Sequence, residues 1–296
     1  MTIETFDAAL PHGITLSCRA SGMPGAGAPR VLLLHGFPEA AFAWDGVMLY
    51  LAGQARCVAP NLRGFERSSA PPQAEAYRAR HLVGDVEALI GQMGGCVDLL
   101  VAHDWGGAIA WNLAAQKPAL MRRLLILNAP HPACFLRELR DNPAQQQASA
   151  YMNFLCRPDA EALLAANGHA RMWPFLERMG GGAWLTPALR AQYEAVWTRG
   201  LTGGLNYYRA SPLRPQAPGG PDTLAALELP DEAVTVRVPT TVMWGLDDQA
   251  LLPALLDGLE RWVPELDVVR VPGASHWIVH ERTELVAQQA ARLLRR

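Results

Sequence analysis

At 296 residues, half of them apolar and 18% charged, the chain has the length and composition of a soluble globular enzyme of one large domain or two small ones. A net charge of −2 leaves no basic surplus for nucleic acid, and no block of like charge marks a tail. The N-terminus has neither the basic segment nor the apolar core of a signal peptide, and no apolar run reaches membrane-span length, so a cytoplasmic location is expected. Cys18, Cys57, Cys96, Cys134 and Cys156 are odd in number and scattered. They show no C-x-x-C or metal-ligand spacing and are expected to be buried free thiols of a reducing compartment.

Residues 1–30 predict a leading strand or hairpin around Ile14–Cys18, followed by a Gly/Pro-rich turn over Gly22–Pro29. The apolar run Val31–Leu34 predicts a central parallel strand buried on both faces, ending in the sharp turn His35-Gly36-Phe37-Pro38-Glu39. A helix is expected over Phe42–Ala52 and a strand at Cys57–Ala59. A second helix is expected over Tyr77–Met93, with Leu82, Val86, Leu89 and Met93 on one face. Val97–Ala102 predicts a buried strand, Ala108–Gln116 a helix and Arg123–Leu127 a further strand. Strand and helix alternate throughout this half, which predicts a mostly parallel sheet flanked by helices.

After Pro132 the pattern changes. Residues 133–232 hold no convincing strand. They predict helices near 142–156, 159–166, 171–179 and 187–198, with a Pro/Gly-rich loop at 212–221 and many aromatic residues. The α/β pattern resumes with a strand at Thr240–Trp244, a helix over Leu251–Trp262, a strand at Asp267–Val271 and a last helix over Thr283–Leu294. This divides the chain into a core of residues 1–132 and 233–296 and a helical cap of residues 133–232, inserted after the sixth strand and lying over the strand ends. The cap is equally suited to a dimer contact, so a homodimer is open.

The stretch His103-Asp104-Trp105-Gly106-Gly107, between a strand and a helix, has the plan of a nucleophile elbow, G-x-S-x-G, with aspartate at the tip. A serine there would acylate. A carboxylate suits displacement at saturated carbon and leaves an ester on the enzyme. Taken alone, Asp104 is equally an acidic residue capping the following helix. Further on, Asp247 or Asp248 and then His276 each follow an apolar strand, in the order nucleophile, acid, histidine of an α/β-hydrolase triad. In that arrangement Asp104 attacks carbon, His276 activates water, and the acid orients the imidazole.

The chain resembles the α/β-hydrolase-fold epoxide hydrolases, the aspartate-nucleophile group related to haloalkane and haloacetate dehalogenases. The resemblance is carried by His35-Gly36-Phe37-Pro38-Glu39, Asn61-Leu62-Arg63-Gly64-Phe65, His103-Asp104-Trp105-Gly106-Gly107, Asn206-Tyr207-Tyr208-Arg209, Trp244-Gly245-x-x-Asp248 and His276-Trp277. It covers most of the chain and is weakest in the cap. It implies the α/β-hydrolase fold, Asp248 rather than Asp247 as the acid, an oxyanion hole from the Phe37 and Trp105 backbone N–H groups, and a cis bond before Pro38. It also implies cap tyrosines that protonate the opening epoxide: Tyr208, in N-[WY]-Y-R, and Tyr151, with Tyr207 the competitor for the first. His35 and His103 are expected to be structural, and His131 is left open.

The aromatic cap suggests an apolar pocket, with Phe37, Trp105, Phe154 and Trp173 as candidate lining. The expected partners are a small epoxide and water, with no metal or organic cofactor. A dehalogenase using the same Asp-His-Asp set is the alternative. Phe37 stands where haloalkane dehalogenases often carry a halide-binding Asn, and Trp105 where fluoroacetate dehalogenases usually show Arg. A non-catalytic hydrolase-like binding protein is a third reading, against which the intact nucleophile, acid and base argue.

Overall fold

In the computed structural model, which describes residues 2–22, 27–180, 182–217, 219–220 and 222–295, eight strands form one sheet in the order β1-β2-β4-β3-β5-β6-β7-β8. Residues 23–26 of the expected first turn, and Pro218 and Pro221 of the expected loop, lie outside the described residues. The strands are β1 (Glu4–Ala9), β2 (Thr15–Ser21), β3 (Arg30–Leu34), β4 (Arg56–Pro60), β5 (Leu99–His103), β6 (Leu124–Leu127), β7 (Thr240–Gly245) and β8 (Leu266–Val271). Strand β2 runs antiparallel to β1 and β4, and every other pairing is parallel.

Burial follows the sequence pattern. Apolar runs become the central strands β5 and β6, buried at every residue, as is β7, which opens on Thr240 and Thr241, whereas β1 and β8, at the edges, keep exposed positions. Alternate side chains feed two cores. Leu32, Leu34, Leu100, Ala102, Leu124 and Ile126 face one side, and Val31, Leu33, Leu99, Val101, Leu125 and Leu127 face the other.

The helices are α1 (Asp45–Leu51), α2 (Ala79–Gln92) and α3 (Asp104–Gln116). Between β6 and β7 come α4 (Pro132–Asp141), α5 (Pro143–Ala148), α6 (Tyr151–Leu155), α7 (Ala160–His169), α8 (Met172–Arg178), α9 (Pro187–Thr198), α10 (Thr202–Ala210) and α11 (Asp231–Val234). After β8 come α12 (Ile278–Glu281) and α13 (Thr283–Leu294). No helix among the described residues is long and apolar enough to cross a membrane.

Three expectations need correction. The helix expected over 142–156 breaks at Ser149–Ala150 into α5 and α6. The helix expected over Leu251–Trp262 is two 3-10 turns, Pro253–Leu256 and Leu259–Arg261, separated by Gly258 in the left-handed region. Helix α10 was not anticipated, because Gly203 and Gly204 oppose helix by propensity.

The parallel register brings the strand ends together. Leu34 pairs with Ala102, His103 with Leu127, Leu127 with Met243 and Gly245 with Val271. The turns after β3, β5, β6, β7 and β8 therefore open at one edge of the sheet, where α/β sheets bind ligands.

Candidate active site

Asp104 sits where β5 turns into α3, in the left-handed region with φ of +50°. Such backbone is costly for a residue with a Cβ and persists where packing over-determines it. Here the packing is of glycines. A Cβ on Gly106 would overlap the Leu34 and His35 carbonyls, one on Gly107 the Ala129 side chain, and one on Gly36 the Asp104 carboxylate itself. The elbow thus presses directly against the turn after β3. There the Phe37 N–H donates to Asp104 Oδ1 at 2.8 Å, and the Phe37–Pro38 bond is cis.

His276 lies in the turn after β8, buried. Its Nδ1 donates to Asp248 Oδ2 at 2.8 Å, and its Nε2 faces Asp104 Oδ2 at 3.7 Å, beyond hydrogen-bond range. Asp248, not Asp247, is the buried acid. Its Oδ1 accepts from the Ala250 and Leu251 N–H groups at 2.8 and 2.9 Å, while Asp247 is exposed. Burial alone would lower the His276 pKa. The Asp248 carboxylate and its hydrogen bond, with Asp104 and Glu39 beyond, outweigh burial and raise it to about 9.

Asp104 opens into a cavity of about 210 Å³ whose lining includes Trp105, Tyr151, Met152, Tyr207 and Tyr208. The tyrosines come from two helices of the insertion, α6 and α10. Helix α10 reaches the site because Gly203 lies backbone-to-backbone on Gly64 and Gly204 lies on the Phe37 ring. The Tyr207 hydroxyl donates to the Arg63 carbonyl at 2.9 Å and so fastens α10 to the core. Tyr208 packs edge-on to Trp105, Phe37 and Tyr151. Burial, reinforced by the Asp104 charge, raises the pKa of both Tyr151 and Tyr208, so both phenols keep their protons. Arg209 reaches the other way and clamps Glu161 of α7.

Three expected lining residues do not line this cavity. Phe154 borders a second cavity, with Tyr151 as the shared wall. Trp173 packs instead on Trp197 and Tyr193, with the Arg190 guanidinium over its ring. The Phe37 side chain is also outside the lining, buried against Phe175 and Tyr208, so that only its N–H reaches Asp104. His35 bonds backbone at both nitrogens, to Gly36 O and Leu62 N. His103 donates from Nε2 to the His276 carbonyl. His131 caps α4 through Ala133 N and donates to the Val234 carbonyl.

Three residues that the sequence did not single out hold the site. Asn128, after β6 at φ of +35°, donates to Asp248 Oδ2 at 2.7 Å and accepts from Gly245 N at 2.8 Å. Its place directly after an apolar strand, in a residue type that tolerates left-handed backbone, is the one signal available. Gln145 of α5, fully buried, donates to the Ala250 carbonyl and accepts from Leu252 N, gripping the loop whose amides hold Asp248. Glu39 is buried between His103, His280 and Tyr193.

A mostly parallel sheet with a carboxylate elbow and a His–Asp pair at its strand ends defines an α/β protein of hydrolase type. A family described as "alpha/beta hydrolase fold" matches residues 29–283. The AB hydrolase superfamily protein YfhM of Bacillus subtilis (strain 168) is 32% identical over 94% of this chain and 93% of its own. A solved structure of novel epoxide hydrolases from metagenomes of hot environments superposes with a TM-score of 0.89 at 35% identity, covering 99% of both chains. The epoxide hydrolase of Bacillus megaterium in complex with an inhibitor superposes with a TM-score of 0.87 at 28% identity, over 98% of this chain and all of that one. The chain belongs to the α/β-hydrolase fold family, in its epoxide-hydrolase group.

Proposed function

We propose that the protein hydrolyses a small apolar epoxide to a vicinal diol through a covalent ester on Asp104, with residues 133–232 as a cap domain over a core of 1–132 and 233–296. The observation that carries this reading is one cavity that holds Asp104 together with Tyr151 and Tyr208, a nucleophile and two protonated phenols.

Asp104 Oδ1 is engaged by the Phe37 N–H, which leaves Oδ2 to attack an epoxide carbon. The C–O bond of the ring breaks as the Oδ2–C bond forms. The ring oxygen takes the electron pair and a proton from Tyr151 or Tyr208, which stabilises the alkoxide as it develops. His276 then removes a proton from water, and the hydroxide adds to the Asp104 carbonyl carbon. Negative charge builds on Oδ1, where Phe37 N–H already points and where the Trp105 N–H is the expected second donor; one such donor is typically worth about 10²–10³ in rate. Collapse breaks the bond from the carbonyl carbon to Oδ2, which departs with the diol and takes the remaining proton of the added hydroxyl, leaving Asp104 a carboxylate. The proton held by His276 returns the tyrosine to its starting form. Substrate and water supply every atom.

The test uses styrene oxide, a haloalkane and a haloacetate, each followed for diol and for halide. Diol without halide is expected; halide without diol would overturn the reading. His276→Gln should gain the mass of one substrate on Asp104, and Asp104→Ala should gain none. An adduct on Asp104→Ala would remove Asp104 as the nucleophile.

A further inference from the structure

Helix α3 lays a floor that leads away from the nucleophile. Asp104, Trp105, Ala108, Ile109 and Asn112 recur at helical spacing and all line the cavity that holds Asp104. Asn112 stands eight residues beyond Asp104, about 12 Å along the helix axis. The cavity therefore extends along α3, with Leu82 of α2 and Leu213 after α10 also in its wall.

Asn112 is the one polar side chain in the apolar run Ala108–Ala115, and asparagine is a poor choice for the middle of a helix. Its Nδ2 donates to the Ala108 carbonyl at 2.8 Å. A carbonyl can only accept, so this bond fixes which way the amide is turned. Oδ1 then has no hydrogen-bond partner among the described residues, and the side chain is partly buried. The hydroxyls of the cavity are otherwise committed. Tyr207 donates to the Arg63 carbonyl, and Ser211 Oγ accepts from Leu213 N. The Tyr77 hydroxyl lies against Gly64, sealed from solvent. Tyr151 and Tyr208 serve the epoxide oxygen in the reading above. What remains open on the α3 floor is one acceptor, Asn112 Oδ1, at the far end of an apolar channel.

We propose that Asn112 recognises a hydroxyl group of the substrate, carried at the end of an apolar arm that lies along α3 with the epoxide at Asp104. The inference rests on the epoxide reading above and deepens it: the substrate is apolar along its arm and bears one hydroxyl at the tip. An acceptor selects a donor. A neutral hydroxyl enters an apolar channel at far less cost than an ammonium, for which Asn112 offers no opposite charge. An extended chain gains about 3.5 Å for every three bonds, so about ten bonds bridge the distance of about 12 Å from Asp104 to Asn112. One neutral hydrogen bond favours the hydroxyl by about threefold to tenfold, and removing the acceptor leaves the same hydroxyl buried and unpaired, which cancels or reverses the preference.

The test has a kinetic arm and a binding arm. In the first, ω-hydroxy-1,2-epoxyalkanes of increasing length are compared with 1,2-epoxyalkanes of equal length, and styrene oxide reports on the epoxide reading alone. The hydroxyl compound should be preferred about threefold to tenfold in kcat/KM at one range of lengths. In Asn112→Leu, close in volume and without an acceptor, that ratio should fall about tenfold, to parity or below. Asn112→Ala removes the same acceptor should the leucine variant fail to fold. The ratio is taken within each variant, so a general loss of activity cancels. In the second arm, calorimetry compares decane-1,2,10-triol with decane-1,2-diol. The triol should bind more tightly in the wild type and lose that advantage in Asn112→Leu. Styrene oxide turnover with no hydroxyl preference at any length, or with a preference that survives Asn112→Leu, overturns the hydroxyl site and leaves the epoxide reading standing. Triol binding that depends on Asn112, with no epoxide turned over, has the opposite meaning: the hydroxyl site stands and the epoxide reading falls. Triol binding that is absent or indifferent to Asn112 counts against the inference whatever the kinetics show.

Discussion

His276 must be neutral to act as a base, yet at rest its pKa is raised to about 9, so near neutral pH the ring is protonated. The Asp104 charge is one cause of that elevation, and ester formation removes it. Alkylation therefore lowers the imidazole pKa at the moment a base is needed, while Asp248 keeps the ring oriented. Asp104→Asn imitates the uncharged ester, and its His276 should titrate below the resting value of about 9 when followed by NMR. An unchanged or higher pKa would sink this coupling. Linkage gives the same sign for stability. A histidine raised from 6.5 to about 9 contributes stability that is fully present below pH 6.5 and lost as pH rises through 9, and Asp104→Asn should narrow that window. The meeting of Asp104, Asp248 and His276 was legible in sequence because each lies in the turn after a strand and the three come in the triad order of nucleophile, acid and histidine. Asn128 and Gln145 were not. Their value lies in hydrogen bonds to residues 117 or 120 positions away for Asn128, and 105 or 107 for Gln145, and no local pattern encodes such a pairing.

Helix α10 shows how an element can be illegible and still position the site. Two adjacent glycines near its start cost roughly 1 kcal/mol each against alanine in helix propensity. Their return is contact: without a Cβ at Gly203 the helix lies on the Gly64 turn and carries Tyr208 to Asp104. Gly203→Ala should improve local propensity and still destabilise the protein, by about 2 kcal/mol, as the added carbon overpacks the junction. The same displacement carries Tyr208 away from the cavity and should lower the alkylation rate by about tenfold to a hundredfold, the range in which misplacement of about 1 Å acts. Calorimetry and rapid-quench kinetics together decide it: a variant that is more stable and equally fast would show that the close approach is dispensable. Central strands are legible by contrast, because burial on both faces leaves an unbroken apolar run. The segment after β7 misled for a related reason: the apolar spacing of residues 251–262 fits a helix, but Gly258 takes a left-handed conformation and interrupts it.

Across the whole molecule, the insertion is held to the core mainly by donors that reach loop carbonyls: Trp197 to Pro38, Tyr207 to Arg63, Asn206 to Pro72 and Gln145 to Ala250. These bonds are indifferent to pH. Charged ties also cross the junction, Arg199 to Glu66 and Asp231 to Arg261 with solvent-accessible side chains, and Glu39 is the buried one. It has no exposed surface, takes hydrogen bonds from Tyr193 of α9 at 2.7 Å and His280 of α12 at 2.5 Å, and lies 3.2 Å from His103 of β5. Burial would raise its pKa, but His280 and His103 outweigh burial and hold it well below the usual carboxylate range. A carboxyl depressed on folding contributes stability above its unfolded pKa of about 4.3, and that stability is lost as pH falls through the folded value. Acid should therefore weaken the tie between insertion and core. Glu39→Gln should be less stable at pH 7 by about 3 kcal/mol, the typical cost of breaking a buried charge pair, and its Tm should fall less steeply than the wild type's as pH drops from about 5 to 3. Hydrogen exchange identifies the part that loosens. In the wild type at low pH, protection should be lost over residues 187–198 before the central strands, because the strands are held by pH-independent burial on both faces. A Glu39→Gln variant with the full wild-type acid slope would move the acid sensitivity elsewhere and leave Glu39 as a hydrogen-bond acceptor whose charge is immaterial.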